Sequence, residues 1–202
     1  LVRERWSVVL ERTVRELQGM PCIGFEHEPA AKKEIACTRS FGQTVTQLND
    51  LQEAITEFAS RAAEKLRRQN SHAGQVLSFI RTSPFRLQDK QYSRSVVVPL
   101  LRPSADSQAI VHAALTGLQA IYRPGYRYAK AGVMLMDLSP ADRCRQELLL
   151  DETESQTDRS ALMQVLDGVN RRYGRGTVQL GSARLGGSER SWTMRQERRT
   201  PG

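Results

Sequence analysis

The sequence predicts an α+β domain with the element order β-α-β-β-α-β: one four-stranded sheet with two helices on a single face. Three observations carry that expectation. Short runs of alternating or β-branched residues recur at Lys33–Gly42, Gln75–Thr82, Ser93–Leu101 and Lys130–Leu138. Two longer segments between them carry apolar residues at helical spacing. Turn residues punctuate the joins, with Ser83-Pro84-Phe85 between the second and third strands and Pro124-Gly125 after the second helix.

The first strand reads KEIACTRSFG. Ile35 and Cys37 alternate with Glu34, Ala36 and Thr38, the period of a half-buried strand. The segment is expected to end in a turn in which Thr38, Arg39 and Ser40 stand together and Gly42 lets backbone approach a ligand. Two hydroxyls and a forked guanidinium donor suit phosphate oxygens. The first helix of the domain can be capped by Asn49 or Asp50. Its apolar stripe is Leu51, Ile55, Phe58, Ala59, Ala62 and Leu66, and Lys65, Arg67 and Arg68 complement its negative end. In the third strand, Val96, Val97 and Val98 precede Pro99, which marks an edge strand or a bulge. Asp106 or Ser107 can cap the second helix, whose stripe is Ile110, Ala114, Leu118 and Ile121. The last strand contains Val133, Met134, Leu135 and Met136. With both helices on one face, the opposite face and the strand edges are left for a partner.

The flanks are simpler. Val2, Trp6, Val9, Leu10, Thr13 and Leu17 predict an N-terminal helix that Gly19 and Pro21 stop. Pro21, Gly24 and Pro29 mark a tether. Beyond Ser139 the chain turns polar and acidic. Ala161, Leu162, Val165, Leu166 and Val169 predict a short amphipathic helix, and Thr177–Leu180 and Ser191–Arg195 read as short strands. The expected boundaries are 1–18, 19–32, 33–138, 139–158 and 159–202.

The chain has 202 residues, a net charge of +8 and a pI near 9.9, which favours an anionic partner, with nucleic acid foremost. No apolar run approaches the ~20 residues of a spanning helix, so no membrane role is expected. The N-terminus lacks secretory character. Three cysteines, Cys22, Cys37 and Cys144, are far apart and read as reduced thiols of a cytoplasmic protein, without metal spacing. The isolated histidines His27, His72 and His112 read as ordinary surface or helix residues. No nucleophile–base pair, phosphate-gripping loop or carboxylate cluster is evident, so this chain is expected to be noncatalytic. It begins at Leu1 within a helical pattern, which reads as part of a longer protein. The segment QELLLD, Gln146 to Asp151, has the form of a peptide anchor, an amide for register followed by leucines for a pocket. The other reading is that these leucines pack back on their own domain.

Six stretches together resemble the C-terminal part of the Y-family lesion-bypass DNA polymerases of the UmuC, MucB and ImpB type. They are SVVLERTVREL (Ser7–Leu17), KEIACTRSFG (Lys33–Gly42), ASRAAEKLR (Ala59–Arg67), FIRTSPF (Phe79–Phe85), YRYAKAGVML (Tyr126–Leu135) and GRGTV (Gly174–Val178). The resemblance implies the end of a thumb helix, a tether and a little-finger domain that contacts the DNA backbone near template–primer during SOS translesion synthesis. It carries DNA contact to Thr38, Arg39, Ser40 and Gly42, and more loosely to Arg81, Thr82 and Ser83. Arg94 and Lys130 join them on charge alone. It also implies a sliding-clamp peptide at Gln146, Leu148, Leu149 and Leu150. Glu147 stands where that peptide has Leu, and Leu150 where it has Phe. The tail is similar to a region associated with a UmuD′-like dimer and a RecA filament. The Mg²⁺-binding carboxylates of such polymerases have no counterpart here, so no cofactor is expected in this chain. Two other readings remain: an RNA-binding module of this topology, for which Phe79 is the one strand aromatic of note, and a protein-interaction module of the polymerase assembly with little DNA affinity.

Overall fold

The computed structural model describes residues 7–22, 32–141, 159–183 and 192. The chain divides into two compact units, Leu1–Ala31 and Lys32–Gly202. In the first, helix α1 spans Val8–Leu17. The Ser7 hydroxyl caps it by accepting from the Leu10 amide at 3.2 Å. Gly19, at φ 82°, ends it in the left-handed region that glycine adopts freely. Val2, Trp6 and most of the tether lie outside the described residues.

The second unit runs β1 (Ile35–Val45), α2 (Leu48–Arg68), β2 (Ser71–Thr82), β3 (Ser93–Ser104), α3 (Ser107–Ile121) and β4 (Tyr128–Pro140). Helix α4 (Ser160–Tyr173) and a 3-10 turn at Gly181–Ala183 follow. The α+β order is the one expected. The four strands pair as β1-β4-β2-β3, every pair antiparallel. Strand β4 thus separates β1 from β2, and β2 separates β3 from β4. The chain's last and second strands are central, and β1 and β3 are edges.

Strand parity then assigns the faces. Ile35, Val76, Ile80, Ala131, Val133 and Leu135 point to one side and are buried. The apolar stripes of both helices, including Leu51, Ile55, Phe58, Leu66, Ile110, Ala114 and Leu118, join them in a single core. Ser78 is buried on this side and donates to the Ala114 carbonyl at 3.0 Å, so its hydroxyl is satisfied. Within this unit no described helix covers the other side, where Thr38, Ser40, Arg81 and Ser93 are exposed.

Several local readings shift. Helix α2 begins at Leu48 with Gln47 as a cap residue that makes no side-chain cap bond, ahead of Asn49 and Asp50. Leu48 packs against the core, and that contact extends the helix two or three residues outward. Asp106 caps α3 as read, accepting from the Gln108 amide at 2.9 Å. Strand β1 does not turn at Gly42 but continues to Val45, with a pairing slip between Ser40 and Val45. Pro99 is both on an edge strand and beside a register shift, so its missing N–H is harmless. No strand forms at Thr177–Leu180. Instead the Asn170 side chain donates to the Val178 carbonyl at 2.9 Å and accepts from its amide at 3.0 Å, doing a strand partner's work. Ser191–Arg195 lies outside the described residues except Trp192. Its buried ring meets Phe58 edge-on at 5.8 Å.

The amphipathic face of α4 is also rotated from the expected one. Met163 is buried, whereas Leu162 and Val165 are exposed. The cause is polar. Arg67 of α2 grips Asp167 of α4 bidentately, Nε to Oδ2 and Nη2 to Oδ1, both at 2.7 Å. Its remaining Nη1 donates to the Ala105 carbonyl at 2.7 Å and the Ser107 hydroxyl at 2.9 Å. That fork decides which side of α4 faces the domain.

Candidate nucleic-acid interface

The side of the sheet without helices is built from successive rows, because the registers of all three strand pairs align. One row is Ser40, Lys130, Arg81 and Ser93, running from β1 through β4 and β2 to β3. The next is Thr38, Gly132, Phe79 and Ser95. The third is Ala36, Met134, Leu77 and Val97. The face therefore grades from hydroxyl and cation at one end to apolar at the other. Ser40, Arg81, Ser93 and Thr38 are exposed, and Lys130 is half-buried.

Gly132 is what lets the middle row close. A Cβ there would stand 2.5 Å from Thr38 Cγ2 and 2.6 Å from Phe79 Cε1. The Phe79 ring and the Thr38 methyl thus meet over a bare strand position. Phe79 is half-buried by that arrangement, so it is not an open stacking platform of the RNA-binding kind.

The remaining sequence-chosen residues separate. Thr38 and Ser40 share the open face, but Arg39 has the opposite parity and points to the helix side, where it, Lys65 and Arg61 all act electrostatically on Cys37. A strand's period of two makes this unavoidable once β1 runs straight through. Arg94 has the same parity as Arg39 but belongs to β3, so the two guanidinium groups flank opposite edges of the sheet. Among the described residues, no carboxylate forms an ion pair with Arg39, Arg81, Arg94 or Lys130. Gly42 is exposed in the stretch where pairing slips. Thr82 is buried at 4 % exposure. Its hydroxyl lies 2.9 Å from Gln91 Oε1 and accepts from the Tyr92 amide at 3.0 Å, so it closes the β2–β3 loop rather than facing outward. Ser83 is half-buried, and its carbonyl accepts from the Arg86 amide at 3.3 Å. Gln146, Leu148, Leu149 and Leu150 lie outside the described residues.

Ser93 and Ser95 completed two of these rows without being singled out from the sequence. Their alternation ahead of the valine run was the available signal, but only the register places them beside Arg81 and Phe79.

A group of tyrosines supports the cationic end. Tyr92 and Tyr126 have ring centroids 4.7 Å apart, and Tyr128 lies 6.1 Å from Tyr92 and 6.0 Å from Tyr122. Three of the hydroxyls are committed to backbone: Tyr92 donates to the Ile121 carbonyl at 2.6 Å, Tyr122 to that of Thr46 at 3.0 Å and Tyr128 to that of Arg123 at 2.8 Å. The end of the sheet that presents Lys130 and Arg81 is therefore rigid.

Two titrating groups lie in this framework. Burial pushes the Cys37 thiol up, against the lowering pull of Lys65 and Arg61. Burial likewise pushes the Tyr128 phenol up. A raised folded-state pKa means stability is fully present below the ordinary thiol and phenol ranges and is lost as pH rises through the folded values. Thermal unfolding followed by circular dichroism should therefore show a midpoint steady through neutral pH and falling at alkaline pH. Cys37→Ala should remove the thiol's part of that fall. An identical alkaline slope in the variant would exclude Cys37 as a contributor.

Among the described residues no helix is long and apolar enough to cross a membrane, and no group of three or more His, Cys, Asp or Glu side chains could hold a metal ion.

Residues 32–149 match the family model described as the impB/mucB/samB family C-terminal domain. Residues 160–202 match a domain of unknown function. The chain is 41 % identical over 201 residues to protein UmuC of Salmonella typhimurium, covering 100 % of the chain and 47 % of that relative. It is 44 % identical over 201 residues to protein MucB of Escherichia coli, covering 100 % of the chain and 46 % of the relative. To protein ImpB of Salmonella typhimurium it is 42 % identical over 196 residues, covering 97 % and 45 %. The chain spans a little under half the length of the curated relatives it matches.

Proposed function

This chain belongs to the impB/mucB/samB family through its C-terminal domain, and from that premise we propose that it is the DNA-gripping part of a translesion DNA polymerase subunit. The observation that carries the reading is the row Ser40–Lys130–Arg81–Ser93 on a face without helices. Three interstrand steps of ~4.8 Å make such a row about 14 Å long, on the order of the ~12 Å major-groove width. Hydroxyls at both ends and cations between them suit sugar–phosphate rails. Arg39 and Arg94, on the helix side of the two edge strands, are not members of this row.

The mechanism is electrostatic positioning. Phosphate contacts fix where the duplex lies and leave its bases unread, so a damaged template is held as well as an intact one. The duplex proposed is template–primer. No step of bond-making is assigned to this chain. By resemblance, Gln146, Leu148, Leu149 and Leu150 are proposed to dock a sliding clamp. Glu147 and the absence of a terminal aromatic predict a weak anchor.

The test is a salt titration with duplex DNA, followed by anisotropy. Neutralising about four to six phosphates predicts a slope of log K against log salt of roughly −4 to −5. Arg81→Ala with Lys130→Ala should lower binding to every duplex sequence alike and flatten the slope by about two. Binding that ignores salt, or a double variant with an unchanged slope, would remove this reading.

A second reading has one observation in its favour. Leu162, Val165 and Tyr173 leave an apolar stripe on the outer side of α4, at 57 %, 63 % and 66 % exposure. A UmuD′-like dimer or a RecA filament, the partners that the resemblance implies for the tail, would cover it. Negligible DNA affinity alongside tight protein capture would favour a pure docking module.

A further inference from the structure

We propose that the β2–β3 loop carries a base-stacking tip, in which Phe85 stacks on an unpaired nucleobase adjoining the gripped duplex; this deepens the DNA-binding reading and rests on it. Phe85 is 92 % exposed and Leu87 89 % exposed, the barest large apolar side chains among the described residues. Neither gains anything from the fold, yet the loop that holds them is closely tied. The Thr82 amide donates to the Tyr92 carbonyl at 2.9 Å. The Gln91 amide nitrogen donates to the carbonyls of Arg86 at 2.9 Å and Asp89 at 3.0 Å. The Asp89 amide donates to Arg86 at 3.1 Å. The tyrosine group anchors the base of this loop through Tyr92. The tip is thus preorganised, and ordering it on binding costs little.

The surroundings select the ligand. The β2–β3 pairing that the loop closes ends at Arg81 and Ser93, the two residues of the phosphate row on those strands. Arg86 and Lys90 lie within it, and its one carboxylate, Asp89, is engaged by Arg127 at 3.7 Å. An aromatic ring among cations fits a polyanion that also has flat apolar faces, which describes a nucleic-acid strand. Inside an intact duplex those faces are buried, and reaching one requires unstacking that a single aromatic contact does not repay. A base that is already unpaired carries no such cost. The single-stranded template beside the duplex end is therefore the ligand, with Leu87 as a lateral apolar contact.

The experiment compares the full chain with Phe85→Ala, Phe85→Leu and Phe85→Trp on a blunt duplex and on the same duplex with a single-stranded overhang. Phe85→Ala should weaken binding to the overhang substrate by about 5- to 30-fold, with blunt-duplex affinity within about twofold and the salt slope unchanged. Phe85→Leu should lose most of the same preference, and Phe85→Trp should keep it. A 2-aminopurine in the first unpaired position should be quenched on binding the original chain and not the Phe85→Ala variant. The ring is exposed, so all variants should unfold at the original temperature. Equal affinity of Phe85→Ala and the original chain for the overhang overturns the stacking proposal alone. Loss of protein capture with DNA binding intact overturns it too, and assigns the tip to a protein pocket. Failure of the original chain to bind either DNA would remove the phosphate-grip reading beneath it.

Discussion

Gly132→Val should destabilise the Lys32–Gly202 unit by about 3 kcal/mol, lowering its thermal midpoint by roughly 6 to 12 °C. The strand conformation itself is not the obstacle: Gly132 has no positive φ, and a β-branched residue suits a strand. The obstacle is space. The first added carbon meets Thr38 Cγ2 at 2.5 Å and Phe79 Cε1 at 2.6 Å. The Phe79 ring end can swing aside, but Thr38 is β-branched and stiff at χ1. Gly132 also occupies a central strand, so the backbone has neighbours on both sides and little freedom to retreat. Gly132→Ala should cost less, about 1–2 kcal/mol. In a Phe79→Ala background that cost should shrink, because half the clash is gone. Denaturant midpoints of the four proteins in this cycle would measure the coupling. Additive losses would show that the ring does not close over Gly132. Because Thr38 belongs to the proposed phosphate face, the alanine variant should also weaken DNA binding more than its stability loss explains.

Asp167→Ala should release helix α4 while leaving the β1–β4 sheet, α2 and α3 folded. Both members of the Arg67–Asp167 pair are mostly covered, at 12 % and 15 % side-chain exposure. Breaking a buried pair leaves an uncompensated charge, an effect of about 3 kcal/mol. Little apolar burial offsets it, since Met163 is the one buried residue of α4. Local opening rather than global unfolding is therefore expected. Hydrogen exchange should lose protection across Ser160–Tyr173, and proteolysis should begin there. Asp167→Asn keeps an acceptor for one guanidinium N–H and should sit between. Unchanged protection in the alanine variant would mean that α4 is held by other contacts.

Much of this molecule was written in local pattern. The stripe Leu51, Ile55, Phe58, Ala59, Ala62 and Leu66 is buried as helical spacing required. So is the stripe Ile110, Ala114, Leu118 and Ile121. Asp106 caps α3 because an aspartate before an apolar run has an orphan N–H within reach. Where local cues competed with tertiary contact, contact won. Leu48 drew α2 outward past Asn49 and Asp50. Arg67 turned α4 so that Asp167 and Met163, rather than Leu162 and Val165, face the domain. Asn170 took the place of a strand partner at Val178. The candidate interface was half legible for the same reason. Thr38, Ser40, Arg81 and Lys130 carry their chemistry in their side chains, and a basic composition pointed to an anion.

The sequence by itself determined the element order of the core domain, the buried faces of α2 and α3 and the positive charge, since periodicity and side-chain chemistry act within a few neighbouring residues. Only the tertiary structure decided that β4 inserts between β1 and β2. That pairing joins residues far apart in the chain, through backbone hydrogen bonds that every residue type can make. It set Ser40, Lys130, Arg81 and Ser93 in one line, sent Arg39 to the sheet's flank and enclosed Thr82.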